Sequence, residues 1–181
     1  RLLEQDRFTS RINGTFTVKG SGGGRYPFDL DAAGTMTESH VFGADVPRMD
    51  VEAQFGGGDA RVKATGTFGS LNPEVPSGNP RLAGMLTGAL DLDTTIRDYA
   101  QGVTVDNYDA QGRLNLGRSE IGKVIIETAV VDGQYANREG QITQLTVTGP
   151  DITATASGSI ALNETGASNL TAHVETPSLD R

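Results

Sequence analysis

Alternate positions over 152–162 are apolar or small: Ile152, Ala154, Ala156, Gly158, Ile160 and Leu162. The residues between them include Thr153, Thr155, Ser157 and Ser159. A period of two gives a strand one apolar and one hydroxyl-rich face, whereas a helix would scatter the same side chains around its circumference. The same alternation places Ile12, Phe16 and Val18 on a first strand, and Tyr26, Phe28, Leu30, Ala32, Gly34 and Met36 on a second. It recurs at Met49, Val51, Ala53 and Phe55, at Val62, Ala64, Gly66 and Phe68, and at Leu82, Leu86, Gly88, Leu90 and Leu92. Tyr108, Ala110, Gly112, Leu114 and Leu116 repeat it, as do Leu170, Ala172 and Val174 at the end. Residues 142–148 read as a further strand. The stretch 124–135 is apolar on both parities, which predicts either cover on both faces or a bulge. Residues 94–107 fit no single period and predict an irregular crossing with a short strand.

A second pattern is laid over the first. The phrase Gly-x-bulky begins at Gly14, Gly34, Gly66, Gly88, Gly112, Gly133 and Gly158, with an average spacing of 24 residues. Two strands of about ten residues with their turns account for that spacing, so each repeat is one hairpin. Short glycine-rich turns imply antiparallel neighbours, because parallel pairing needs long crossovers. The expected fold is therefore all-β, an antiparallel meander of repeated hairpins forming one segment over 1–181. A proline-rich loop at 71–81, holding Pro73, Pro76 and Pro80, interrupts it.

Composition narrows the function classes. With 24 Gly, no Cys, no Trp and 36% hydrophobic residues, the 181-residue chain suits repeated half-buried strands better than disorder. A net charge of −8 with no basic stripe argues against nucleic acid as a partner and against docking on anionic lipid through charge. No run of 18 apolar residues is present, so no segment reads as a membrane-spanning helix. The chain opens at Arg1 without a start methionine and reads as a piece of a longer protein. Residues 1–8 carry Leu2, Leu3 and Phe8, enough for an amphipathic turn or two.

Catalytic and metal chemistry find little footing. Gly20, Gly22, Gly23 and Gly24 lack the Gly-Lys-Ser/Thr ending of a phosphate loop and read as a flexible turn. His40 and His173 lie far apart in sequence and read as solvent-facing rather than as metal ligands or bases. Neither a Gly-x-Ser-x-Gly elbow nor His-Glu-x-x-His occurs. Asp91, Asp93 and Thr95 fit an Asp-x-Asp-x-Thr phosphotransferase pattern, but that chemistry needs a buried parallel strand, not a half-polar one. Asp29 with Asp31, and Asp106 with Asp109, suit a solvated strand face better than a calcium cage, which needs several ligands in one loop. The expectation is a protein that is not an enzyme, with no cofactor and no metal site.

The apolar parity points instead to a binding surface. Strand centres are small, with bulky residues on either side, so the strands are expected to crease and curl the sheet into an elongated U-shaped groove. Its expected lining is Tyr26, Phe28, Leu30, Met36, Val62, Phe68, Leu86, Leu90, Leu92, Leu114, Leu116, Ile152, Ile160, Leu162, Leu170 and Val174. Gly34, Gly66, Gly88, Gly112 and Gly158 are its expected floor. Some twelve strands at about 4.8 Å each would make a trough of roughly 55 Å. Left empty it would expose apolar area at about 25 cal/mol per Å², so an apolar occupant is expected.

The run 114–161, with IGKVIIETAVVDGQYANREGQITQLTVTGPDITATASGSIA, and the earlier ADVPRMDVEAQFGGGDARVKATGTF resemble TamB-like proteins of the AsmA-like superfamily, which belong to a translocation and assembly module. The shared features are Gly-x-bulky repeats and the Leu-Thr-Val-x-Gly phrase at 145–149, over about 12–175. The resemblance implies a repeating β-groove, or β-taco, in the periplasm of an inner-membrane-anchored protein. It also implies carriage of phospholipid acyl chains towards the outer membrane and a link with outer-membrane protein assembly through regions outside this chain. Two other readings fit the periodicity: a stalk or adhesin scaffold whose apolar face closes on itself, and a chaperone-like surface that receives unfolded outer-membrane strands.

Overall fold

The computed structural model describes residues 10–22, 29–162 and 166–177. Tyr26 and Phe28 of the expected lining, and the expected turn at 1–8, lie outside them. Twelve strands follow in chain order: β1 (Gly14–Ser21), β2 (Asp29–Val41), β3 (Ala44–Gly56), β4 (Asp59–Leu71), β5 (Gly84–Ile96) and β6 (Tyr108–Leu116). The others are β7 (Ser119–Ile121), β8 (Val124–Ile126), β9 (Thr128–Ala136), β10 (Glu139–Gly149), β11 (Ile152–Ala161) and β12 (Asn169–Glu175). They form one antiparallel sheet in the order β1-β2-β3-β4-β5-β6-β9-β10-β11-β12, with β7 paired to β5 and β8. The sheet does not close, because β1 and β12 are its two ends. The expected all-β meander is what the chain adopts.

Two-residue turns set much of this order. Phe42–Gly43, Gly57–Gly58, Gly122–Lys123 and Asn137–Arg138 all have positive φ at both positions. Such turns carry the twist that lets adjacent strands pair without splaying. The β6–β7 and β8–β9 pairs are one long hairpin, interrupted at residues 117–118 on one side and at Glu127 on the other. That interruption is why 124–135 looks apolar on both parities: Ile126 and Ala129 are both buried, three residues apart.

The same three-residue step occurs in other strands. It runs from Met36 to Ser39 in β2, from Val46 to Met49 in β3, from Phe68 to Leu71 in β4 and from Ile142 to Leu145 in β10. Each step inserts one residue into the alternation, the definition of a bulge, and bends the strand. From β2 to β9 these steps form a line across the sheet, interrupted at β5, which keeps its period of two. The buried residues Ser39, Val46, Phe68, Leu86, Ser119, Ile126 and Ala129 gather on and beyond that line. Two serines repair the broken backbone ladder there. Ser39 Oγ accepts from Asn13 N and donates to Asn13 O, both at 2.9 Å, while Ser119 Oγ accepts from Thr87 N at 3.1 Å.

The core is thin. No described side chain is completely buried, and the solvent-accessible surface is 12148 Å². A compact monomer of this 19.0 kDa mass would expose roughly 8,400 Å². A single sheet without a second layer over most of its apolar face accounts for the excess.

Candidate ligand-binding face

The pairing register turns the alternating pattern of single strands into rows that cross the whole sheet. One row reads Phe16, Gly34, Val51, Ala64, Leu92, Gly112, Gly133, Ile142, Gly158, Leu170. The next reads Met36, Met49, Gly66, Leu90, Leu114, Val131, Leu145, Ala156, Ala172. Neither row contains a charged residue, so the apolar face is continuous from β1 to β12.

Bulky residues in these rows repeatedly stand opposite glycine, as in Phe16 with Gly34, Met49 with Gly66, Leu92 with Gly112 and Ile142 with Gly158. A large side chain can then lie across the neighbouring strand. The glycines do not form the straight floor expected from sequence. Gly34, Gly112 and Gly158 share one row, but Gly66 is offset from it by two residues and Gly88 by four, so the small positions are stepped.

The expected lining divides by burial. Leu30, Met36, Val62, Leu90, Leu92, Leu114, Leu116, Ile152 and Ile160 are partly exposed, and Leu162, Leu170 and Val174 are exposed. Phe68 and Leu86 are 5% and 9% exposed. Those two, expected on the open surface, are packed into the core along the bulge line. Residues outside the expected lining share the rows: Phe16 and Val51, both part of the alternation, and Val131, Ile142 and Leu145. The three-residue steps at Glu127 and Thr143 hide the last three, whereas Phe16 and Val51 are visible in their own alternation. A shallow apolar depression of about 390 Å³ lies over the middle of the face, lined by Leu90, Leu92, Ala110, Leu114, Val131 and Tyr135 among others.

One end of the face is walled by aromatic rings. Phe55 meets Tyr99 edge to face at 5.7 Å, and Tyr108 lies 5.9 Å from Tyr135. Tyr99 comes from the β5–β6 connection, where the sequence suggested an irregular crossing with a short strand. Residues 94–96 instead complete β5, and 97–107 contain a single 3-10 turn and no strand. This loop is tied down at several points. Arg97 pairs with Asp109, Arg138 pairs with Asp106, and the Tyr135 hydroxyl donates to Val105 O at 2.8 Å. Asn107 Nδ2 donates to Arg97 O at 2.7 Å and to Gly102 O at 2.8 Å. At the opposite end the proline-rich connection forms a one-turn helix, α1 (Glu74–Ser77), and Asn72 Oδ1 accepts from both Glu74 N and Gly84 N. Val75 of this connection sits beside the β2–β3 turn, 3.8 Å from where a Cβ on Gly43 would lie.

The other face is polar and laddered by charge. Asp50, Thr65, Asp91, Arg113 and Asp132 face one another in sequence across five strands. Arg61 donates to Asp93 at 2.5 Å, and this hydrogen bond holds the Asp93 carboxyl below the ordinary carboxylate range. The Arg138 guanidinium does the same for Asp106. Two of the four aspartates weighed as calcium ligands are partnered by arginine: Asp106 with Arg138, and Asp109 with Arg97. Among the described residues no group of three or more His, Cys, Asp or Glu could hold a metal ion. His40 bonds to Asp45 and His173 to Glu175, both at 3.1 Å on exposed surface. No described helix is long and apolar enough to cross a membrane. No protein-family model, curated protein or solved structure matches the chain.

Proposed function

We propose that this chain is a segment of a hydrophobic β-groove that conducts phospholipid acyl chains between the inner and outer membranes of a Gram-negative-type envelope, and thereby supports outer-membrane protein biogenesis. The observation that carries the reading is the uncovered apolar face: ten strands wide, free of charge in its two central rows, and backed by a mostly polar reverse side. Leaving such a face wet costs about 25 cal/mol for every Å² of apolar surface. A hydrocarbon chain laid along the rows removes that cost without needing a hydrogen-bonding partner. The curl of the sheet into a trough belongs to this proposal; the bulge line and the stepped glycines supply the bends it requires. The resemblance to TamB-like proteins supports the same reading, with the protein in the periplasm and anchored to the inner membrane through a longer chain.

Lipid capture tests it. A photocrosslinker in place of Leu90 or Ile160 should trap phospholipid during expression in a Gram-negative host, and one in place of Thr155, on the polar face, should not. Mass spectrometry of the adducts reads the result. Equal labelling at all three positions, or none, overturns the proposal and leaves a structural stalk. Capture of unfolded outer-membrane protein segments in place of lipid would establish the chaperone reading instead.

A further inference from the structure

Thr94 stands on the apolar face of β5, between Leu92 and Ile96 on its own strand and opposite Val62 of β4 and Ala110 of β6. It is 8% exposed, and its hydroxyl has no hydrogen-bond partner. None of those four neighbours carries a hydrogen-bonding side chain. Leu92 and Ala110 also line the apolar depression in the middle of the face, as does Tyr135, which continues the cross-sheet row from Thr94 through Ala110. A single polar atom therefore sits at the edge of an apolar hollow of about 390 Å³, a volume within the range of small-ligand sites.

The connection 97–107 spans the strand that carries this hydroxyl. Phe55 of β3 and Tyr135 of β9 are both rooted in the apolar face. Tyr99 meets the ring of the first, and Val105 O accepts from the hydroxyl of the second. Thr94 on β5 lies between those two contacts, so the connection roofs this end of the face. The roof contains one 3-10 turn and no strand, and Val103 and Val105 on it are 54% and 48% exposed. Lifting it breaks side-chain ties but no strand pairing.

We infer that Thr94 is a ligand-recognition residue: beneath the 97–107 connection its hydroxyl donates to the carbonyl oxygen of an ester-linked acyl chain whose hydrocarbon lies in the depression. The inference rests on the lipid reading above and names the lipid chemistry that the site takes. The apolar neighbours select a neutral acceptor, because a carboxylate or phosphate among them would be a buried charge without a partner. In the empty protein the hydroxyl has already lost its water, so a carbonyl restores a hydrogen bond that folding removed. A ligand of the same shape without that oxygen leaves the hydroxyl unpaired. Hydrocarbon packing along the rows gives no such discrimination.

Vesicles of diester phosphatidylcholine and of its diether analogue, with chains of equal length, test the assignment. The lipid-stripped 181-residue chain, offered equal amounts of both, should retain the diester at least about fivefold more than the diether. Mass spectrometry of the extracted lipid reads the ratio. Thr94→Val should abolish the preference while staying folded, and Thr94→Ser, which keeps the hydroxyl, should preserve it. Equal retention of the two lipids by the parent protein overturns the inference and leaves the groove reading standing. A Thr94→Val protein that still favours the diester does the same. Retention of neither lipid by the folded parent overturns the groove reading itself, and this inference with it.

Discussion

Gly34 of β2 lies directly across from Phe16 of β1, and the phenyl ring occupies the space a side chain at Gly34 would need. A Cβ there would stand 2.6 Å from Phe16 Cδ1 and 2.2 Å from the Thr15 carbonyl oxygen. The ring could swing away, but the carbonyl belongs to the backbone of the neighbouring strand. Gly34→Ala should therefore push β1 off β2 and destabilise the protein by about 1–3 kcal/mol, the usual cost of overpacking. Gly69→Ala is the control, since its Cβ would meet only Thr87 Oγ1 at 3.9 Å. That variant should stay within about 0.5 kcal/mol of the parent. Urea denaturation of the two variants measures the contrast.

Thr94 presents the opposite problem, a polar atom where an apolar one belongs. It faces Val62 and Ala110 across the sheet, is 8% exposed, and its hydroxyl has no hydrogen-bond partner. An unsatisfied buried hydroxyl costs about 1–3 kcal/mol. Thr94→Val keeps the branched shape and removes that cost, so the urea midpoint should rise while the slope of the transition stays unchanged. A lower midpoint would show that the hydroxyl is satisfied in solution.

Acid should weaken the ties on the polar face and at the aromatic end. Asp93 is held below its ordinary pKa by Arg61, and Asp106 by Arg138. A carboxyl whose folded pKa is depressed contributes stability above its unfolded pKa of about 4 and loses it as pH falls through the folded value. Stability should thus be flat near neutrality and drop below about pH 4. Asp93→Asn should lower the neutral plateau and flatten the acid limb, whereas Asp106→Asn, in a pair at the surface, should mainly loosen the loop 97–107. Hydrogen exchange at Asn107 and Tyr99 separates the local effect from the global one.

Much of this architecture was legible in the alternation itself. Ile152, Ala154, Ala156 and Gly158 fall on one face as their spacing requires, and short glycine turns lead to antiparallel neighbours. What stayed hidden depends on residues that break the period. One inserted residue at Glu38, at Ser70 or beside Thr143 flips every later side chain to the other face, yet it leaves no compositional mark. Val131 and Leu145 consequently looked off pattern while sitting in the central apolar row. Burial was legible only in part, because Phe68 resembles Leu90 in sequence context. The bulge line that covers Phe68 is a property of neighbouring strands, not of its own.

That difference between Phe68 and Leu90 decides how the apolar face responds to charge. Both oppose a glycine across the sheet, Phe68 facing Gly88 and Leu90 facing Gly66. Phe68 is core, so a carboxylate in its place would be buried without a partner, a change that costs several kcal/mol and should abolish folding. Leu90 borders the open apolar depression, where a carboxylate can stay hydrated in the empty protein. Leu90→Asp should accordingly fold, with a urea midpoint lowered by no more than about 1–3 kcal/mol in equivalent stability. Its penalty should appear on loading, since a hydrocarbon chain across the row must strip water from the new charge. Retained phospholipid in the purified protein should fall at least about tenfold, corresponding to 1.4 kcal/mol or more of lost affinity. Normal retention in a folded Leu90→Asp protein would place any bound lipid away from the central row, and an unfolded one would make Leu90 part of the core beside Phe68.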